Sequence, residues 1–341
     1  MKRYVVSVIL SALLFSSCIT TKYISIDVYQ PARVTLPPEI VNVAVVDNTP
    51  YSSQELKATN GKDIQRISLD TAKVVFVDSL SAYLDRENFF GEVLAYPDLT
   101  GADNDQPQAL AFSKIRQIAQ EMGVDAIVSL DNFFVSGKLY KVEDPYAATT
   151  QEMSLGMFVK LSTYSAEGQP LSDPIILNDT LYWSELLNYY PYFQPLPSFN
   201  QATQDMAIMA AESLVRQFVP YWETQNRAYF SNGKTDQLIE SYKWNEALTI
   251  WNTELEKEKK ETKKACLAHN IALAYECLGN LDEAVTWINK AVELLSNTNV
   301  EDVKTRITLY SITLKQRTTA LQKLEEQIGS SEVSSEADNG Q

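Results

Sequence analysis

The stretch "ACLAHNIALAYECLGNLDEAVTWINKAVELLS", Ala265–Ser296, decides how the last third of this chain folds. Ala272, Ala284 and Ala291 alternate at helical spacing with the larger Ile271, Tyr275 and Ile288, and Gly279 falls between the two periodic runs. Small side chains let two antiparallel helices approach, and large ones fill the groove between them. The stretch therefore predicts helix, turn, helix.

Laid on the pattern W-x2-L-G-x2-Y…A-x3-F…P, the same residues resemble a tetratricopeptide repeat. Ile271 takes the Leu place, Ala272 the Gly place and Tyr275 the Tyr place; Ala284, Ile288 and Ala291 follow in register, with Gly279 at the turn. Ala268 at the Trp place and Ser296 at the Pro place depart from it. A degenerate earlier copy precedes it: Trp244, Glu246, Ala247 and Trp251 stand 37 positions before Leu281, Glu283, Ala284 and Ile288. The charged run Glu256–Lys264 between the copies reads as a solvated turn. Beyond them, Val303, Ile307, Tyr310, Leu314, Arg317, Leu321, Leu324 and Ile328 form a heptad seam that only Arg317 interrupts. That helix reads as the cap that a repeat stack requires. The same seam admits a coiled coil with a second copy, hence a homo-oligomer through residues 303–328. Residues 329–341 are polar and acidic and read as a disordered tail.

Upstream the pattern mixes strands and helices. "YISIDVYQ" and "IVNVAVVDN" read as strands, the second apolar enough to be buried on both faces. Leu69, Ala72, Phe76, Leu80 and Leu84 predict a helix over Ile67–Glu87, leading into a short strand in "FFGEVLAYP". A second helix from Ala111 to Met122 ends at Gly123 before the strand "VDAIVSLDNFFVSGKLY". A meander follows in "LGMFVKLSTYSAEG" and "PIILNDTLYWSEL", then a last helix over Gln201–Tyr229 with a kink at Pro220. The expected fold class is α+β (mixed α/β): a helix-on-sheet domain over 18–228, then an all-α, tetratricopeptide-like domain over 229–328. The run ending in "AQEMGVDAIVSL" resembles the periplasmic domain of curli-export and penicillin-binding-protein-activator lipoproteins, which implies an assembly or scaffold role without catalysis.

The chain opens with Lys2 and Arg3 followed by an apolar run to Phe15, far short of the roughly 20 residues that span a bilayer. Residues 1–17 read as an export signal. "FSSC" resembles the lipobox of bacterial lipoproteins, which implies lipidation at Cys18, and several acyl chains hold a protein firmly on a membrane. "ITTKY" after it carries no acid, so neither inner-membrane retention nor an acidic surface-export signal is present. The expected location is the outer membrane, facing the periplasm. Together with "PYWETQNRAYF" and "NIALAYECLGNLDEA", these features resemble a family of Bacteroidetes lipoproteins with C-terminal tetratricopeptide repeats. That resemblance implies an envelope location and protein binding, and supplies no catalytic residues.

A formal net charge of −15 argues against nucleic acid, whose phosphates need clustered Lys and Arg. The single histidine, His269, has no nucleophile at a telling spacing and reads as a packing or surface residue. Cys266 and Cys277, eleven positions apart on one helix, sit roughly 16 Å from each other, beyond the reach of a disulfide. No dinucleotide or P-loop glycine pattern occurs, and Asp98, Asp103 and Asp105 lack calcium-loop spacing, so no catalytic residue, metal site or cofactor is expected. In "NYYPYFQPLPSF", Tyr189, Tyr190, Tyr192, Phe193 and Phe199 stand among stiff prolines, as a recognition surface or as an aromatic plug. The functional expectation is a lipid-anchored envelope scaffold or adaptor that binds a protein or peptide through its repeats. A glycan-binding lipoprotein is the alternative, and an enzyme using carboxylates a more distant one.

Overall fold

Strand formation at Asn42–Asp47 follows from its side chains: Val43 and Val45 enter one apolar cluster while Ala44 and Val46 enter another on the opposite face. The computed structural model describes residues 19–51, 53–58, 64–96, 98–101, 106–142, 149–186, 195–297 and 300–328. In chain order the elements are β1 (Thr20–Gln30), β2 (Asn42–Asp47), β3 (Ser53–Ala58), β4 (Ile64–Ser68), α1 (Asp70–Arg86), β5 (Glu92–Ala95), α2 (Phe112–Met122), β6 (Ala126–Val142), β7 (Thr150–Ser165), β8 (Ile175–Leu186), α3 (Phe199–Leu214), β9 (Tyr221–Ser231), α4 (Asp236–Glu240), α5 (Trp244–Lys257), α6 (Glu261–Cys277), α7 (Leu281–Glu293) and α8 (Glu301–Ile328). The fold is mixed α+β.

The chain divides into two compact units, one of Ala32–Val219 and the other of the residues through Pro31 together with those from Pro220 onward. This differs from a division at 228/229. The α/β unit is an insertion in the sequence between two strands of the helical unit, β1 and β9, which pair antiparallel from Thr20↔Ser231 to Gln30↔Tyr221.

In the α/β unit, β5, β2 and β6 run parallel, as expected of strands joined by the crossover helices α1 and α2. β6 is long enough to take a second parallel neighbour, β3, beside Lys138 and Leu139, and β3 forms a hairpin with β4. β7 and β8 extend the other edge as an antiparallel meander. Phe76, Leu80 and Leu84 of α1 share a cluster with Met206 and Ala210 of α3 over one face of the sheet, while Ile115 and Ile118 of α2 pack on Ile127 over the other. The β6–β7 register shifts between Leu130 and Asn132. This bulge places Asp131 inside, where its carboxylate accepts from Ser129 Oγ, Ser162 Oγ and Asn48 Nδ2.

The helix expected over Gln201–Tyr229 stops at Leu214, and a single tight turn at Val215–Gln217 leads through Pro220 into β9. Proline removes a donor and clashes with a preceding helical turn, and beyond it the residues alternate between facing the helices and facing out.

In the helical unit, α6 is the central element, its Ala268, Ile271, Ala272 and Leu273 fully buried among α5, α7 and β9. α6 and α7 pack through Ala272, Ala284 and Ala291, each without exposed surface, and Ile288 fills the groove. The turn between them puts Gly279 at φ +75°, a backbone conformation that glycine adopts without strain. The earlier copy keeps the same turn at the equivalent position 37 residues before, where Tyr242 stands at φ +55°. Its first helix, α4, is reduced to five residues. Val303, Ile307 and Leu314 of α8 are buried against the chain's own core, so the first half of the seam is covered from within.

Candidate functional site

Past its polar first turn, Glu261–Lys264, α6 is apolar almost all round, and the polar His269, Asn270 and Glu276 within that stretch are all buried. Each meets β9. Asn270 accepts from Phe230 N at 2.9 Å and donates to Phe230 O at 2.7 Å, so one amide replaces a strand partner along that edge. His269 Nε2 lies 2.9 Å from Ala228 O, and burial holds its pKa down at about 4, which keeps the ring neutral and fixes Nε2 as the donor.

Glu276 carries the one buried carboxylate of this helix, and two other elements, β9 and α8, converge on it. Arg227 of β9 donates to it from Nε at 2.9 Å and from Nη2 at 2.8 Å, and Tyr310 Oη of α8 donates at 2.7 Å. Burial lowers the Arg227 pKa, but the Glu276 hydrogen bonds and charge outweigh it and leave the guanidinium above its ordinary value. Burial, reinforced by the Glu276 carboxylate, pushes the Tyr310 phenol well above its usual range. A second guanidinium, Arg317 of α8, stands with Nε 3.5 Å from Glu276 Oε1. No hydrogen bond forms there: Nε is buried without an acceptor, and Nη1 has only Tyr29 O at 3.4 Å. Burial lowers the Arg317 pKa and the Arg227 charge adds to the effect, although Glu276 opposes both. Two arginines thus share one carboxylate that the first already satisfies.

Arg317 forms part of the wall of a cavity of about 390 Å³ within this unit. Tyr29 and Trp222, cross-strand partners on β1 and β9, present rings 4.9 Å apart and tilted by 31°. Trp244 and Tyr242 supply a second aromatic wall, their rings edge to face at 6.4 Å. Asp27 adds a carboxylate, held by Thr224 Oγ1 at 2.6 Å. Cys277 also reaches the wall, but burial and the adjacent Glu276 raise its thiol pKa, and burial pushes Cys266 up to about 12. Neither is a thiolate at neutral pH, and only thiolates are effective nucleophiles. Both stand as thiols outside any disulfide.

The repeat residues divide between core and cavity. Ala247, Trp251, Ile271, Ala272, Ala284, Ile288 and Ala291 are core, and Tyr275 packs against it half-buried; Trp244 and Gly279 reach the cavity wall. Phe199, expected on a recognition surface or in an aromatic plug, is buried at the start of α3 in the α/β core, because the helix there turns it toward the sheet. Tyr189, Tyr190, Tyr192, Phe193 and Cys18 lie outside the described residues. Among the described residues no group of three or more His, Cys, Asp or Glu is placed to hold a metal ion, and no helix is long and apolar enough to cross a membrane. Sequence reasoning did not single out Glu276, Arg227 or Trp222. The signal for Glu276 is a charge within the otherwise mostly apolar stretch Ala265–Cys277.

Residues 40–230 match the family described as Domain of unknown function (DUF8603). The chain belongs to the DUF8603 family. Residues 234–316 match a second family, Domain of unknown function (DUF6340). The DUF8603 match ends within β9, so Arg227 and Trp222 fall inside it, while Glu276 and Tyr310 fall inside DUF6340 and Arg317 just beyond it. No curated protein matches the chain. Among solved structures, a minor lipoprotein from Acinetobacter baumannii is similar at 12% identity and TM-score 0.24, over 53% of this chain and 89% of that one. Rare lipoprotein B from Shewanella oneidensis follows at 11% identity and TM-score 0.22, over 52% and 91%. Lipoprotein GNA1162 from Neisseria meningitidis gives 12% and 0.21, over 52% and 96%. These likenesses are too slight to carry fold or function to this chain.

Proposed function

We propose that this protein is a lipid-anchored cell-envelope binding protein, tethered through Cys18 on the periplasmic face of the outer membrane. Its tetratricopeptide-like helical unit takes a partner or ligand in the cavity between the β1–β9 ribbon and α8. One observation carries the reading: a cavity of about 390 Å³ lined by four aromatic rings, with an under-bonded guanidinium in its wall. That volume is within the range of small-ligand sites, which are mostly apolar with a few placed polar groups. Cys277, the thiol on the cavity wall, is held protonated by burial and the adjacent Glu276, so binding suits the cavity better than attack through that sulfur.

Two measurements test this. Cys18→Ser should move the protein from the membrane to the soluble envelope fraction and abolish labelling by a radioactive fatty acid; an unchanged distribution would refute the anchor. A photo-cross-linking amino acid at Tyr242, which is exposed on the cavity wall, should give an adduct in native envelopes that Trp222→Ala suppresses. An adduct indifferent to Trp222→Ala, or none, would refute the cavity as the binding place.

A further inference from the structure

We propose that the cavity binds a small ligand carrying one carboxylate on an apolar body, with Arg317 meeting the carboxylate. The inference rests on reading the helical unit as the binding part of the protein.

Arg317 is the argument for the charge. A guanidinium offers five N–H donors and stays protonated in proteins. This one has a single acceptor, Tyr29 O at 3.4 Å, and its Nε is buried with none. The nearest carboxylate, Glu276, gives it charge at 3.5 Å but no hydrogen bond, because it already takes three bonds from Arg227 and one from Tyr310. A desolvated donor without an acceptor is costly. An arriving carboxylate matches the planar fork of the guanidinium and supplies the missing acceptors in a charge-assisted pair.

The remaining walls fix the rest of the ligand. Tyr29, Trp222 and Trp244 present ring faces and edges, a surface for an apolar or cyclic body. Asp27 lines the same cavity, and its carboxylate would repel a second negative charge on the ligand. The cavity therefore favours a monoanion over a phosphate or a polyacid.

The test uses the whole chain carrying Cys18→Ser, and so free of the anchor, with calorimetric titration and the tryptophan signal, 3-phenylpropionate as the acid probe and 3-phenylpropanamide as its uncharged twin. The acid should bind saturably and at least about tenfold more tightly than the amide, a ratio in keeping with one charge-assisted pair. Arg317→Gln should remove that preference, and Arg317→Lys should restore part of it. Trp222→Ala should weaken acid and amide alike, and this variant keeps the proposal testable if Arg317→Gln does not fold. Equal binding of acid and amide overturns the carboxylate while leaving the cavity as a binding site. Acid preference that survives in Arg317→Gln overturns the role of Arg317. No saturable binding of the acid overturns the inference, and the Tyr242 cross-link then decides separately whether the cavity binds anything.

Discussion

Replacing Glu276 by Gln is the sharpest perturbation available in the helical unit. The side chain has no exposed surface, and it neutralises Arg227, whose own side chain is only 5% exposed, at 2.8 Å. The amide keeps the shape and can still accept from Tyr310, but two guanidiniums are left without a counter-charge. Removing one partner of a buried ion pair costs about 3–5 kcal/mol, because the uncompensated charge stays in the interior. For a unit of this size that corresponds to a fall in Tm on the order of 10 °C. Urea unfolding followed by tryptophan fluorescence reports it directly, since every tryptophan except Trp183 lies in the helical unit. The midpoint should drop with an unchanged slope. Arg317→Leu in the same background should recover part of the loss by removing one of the two stranded charges. Alone, Arg317→Leu should be neutral or stabilising, because Glu276 keeps Arg227 and Tyr310. A loss below about 1 kcal/mol for Glu276→Gln would refute the claim that the carboxylate neutralises the cluster. An Arg317→Leu variant as damaged as Glu276→Gln would show that Arg317 is a structural partner rather than a waiting donor.

Three further outcomes are expected. Asn270→Ala strands the N–H and C=O of Phe230 and should cost about 2–4 kcal/mol in urea unfolding, with faster amide exchange at Phe230; exchange unchanged at that amide would contradict the edge-pairing role. His269 is held neutral with its pKa lowered to about 4 from an ordinary 6.5, so its contribution is complete above pH 6.5 and is lost as pH falls toward 4. His269→Gln should therefore flatten stability across that window, and an identical pH profile in wild type and variant would sink the assignment. Tyr242→Gly should raise stability by about 1 kcal/mol by relieving the left-handed backbone at φ +55°, as measured by thermal unfolding; a destabilised variant would mean that the ring contributes more than the backbone strain it imposes.

The parts of the fold that could be read from the sequence are those whose inward side chains are apolar. Val43–Val46 marks a strand buried on both faces by its unbroken apolar run, and Leu69 through Leu84 a helix by large buried apolar residues at gaps of three and four, although Lys73 and Ser81 are buried with them. β9 was read as helix for the converse reason. Its residues turned toward the helices include Glu223, Gln225 and Arg227, so the strand period carried no apolar signal, while Met206, Ala210, Leu214 and Phe218 upstream kept a helical one. Its pairing with β1 joins Ser25 to Asn226 across the whole inserted unit, and no local pattern reports such a contact. Arg317 was visible as the charge that breaks an apolar seam. Its meaning was not, because the groups that define it come from β1, β9 and α6.

The two clearest departures from regularity in the helical unit meet at the same place. Gly279 and Tyr242 occupy equivalent turns of the two repeat copies, and both adopt positive φ, yet only the first has the residue that does so without strain. Arg317 occupies a seam position that its neighbours Leu314, Leu321 and Leu324 show to be suited to an apolar side chain. Drift would scatter such departures over the unit, whereas Tyr242 and Arg317 both line the same aromatic cavity. Sequences depart from local rules most often where function requires it, because strain and unpaired charge are otherwise removed at little loss. The tyrosine gives up backbone ease and places a ring at the mouth of the cavity. The arginine gives up apolar packing in the seam and places a charge in the cavity wall. Each substitution is unfavourable for the fold and intelligible for a ligand that needs both a ring face and a cation, which is why the cavity, rather than the surface of the repeats, is the place to look for what this protein binds.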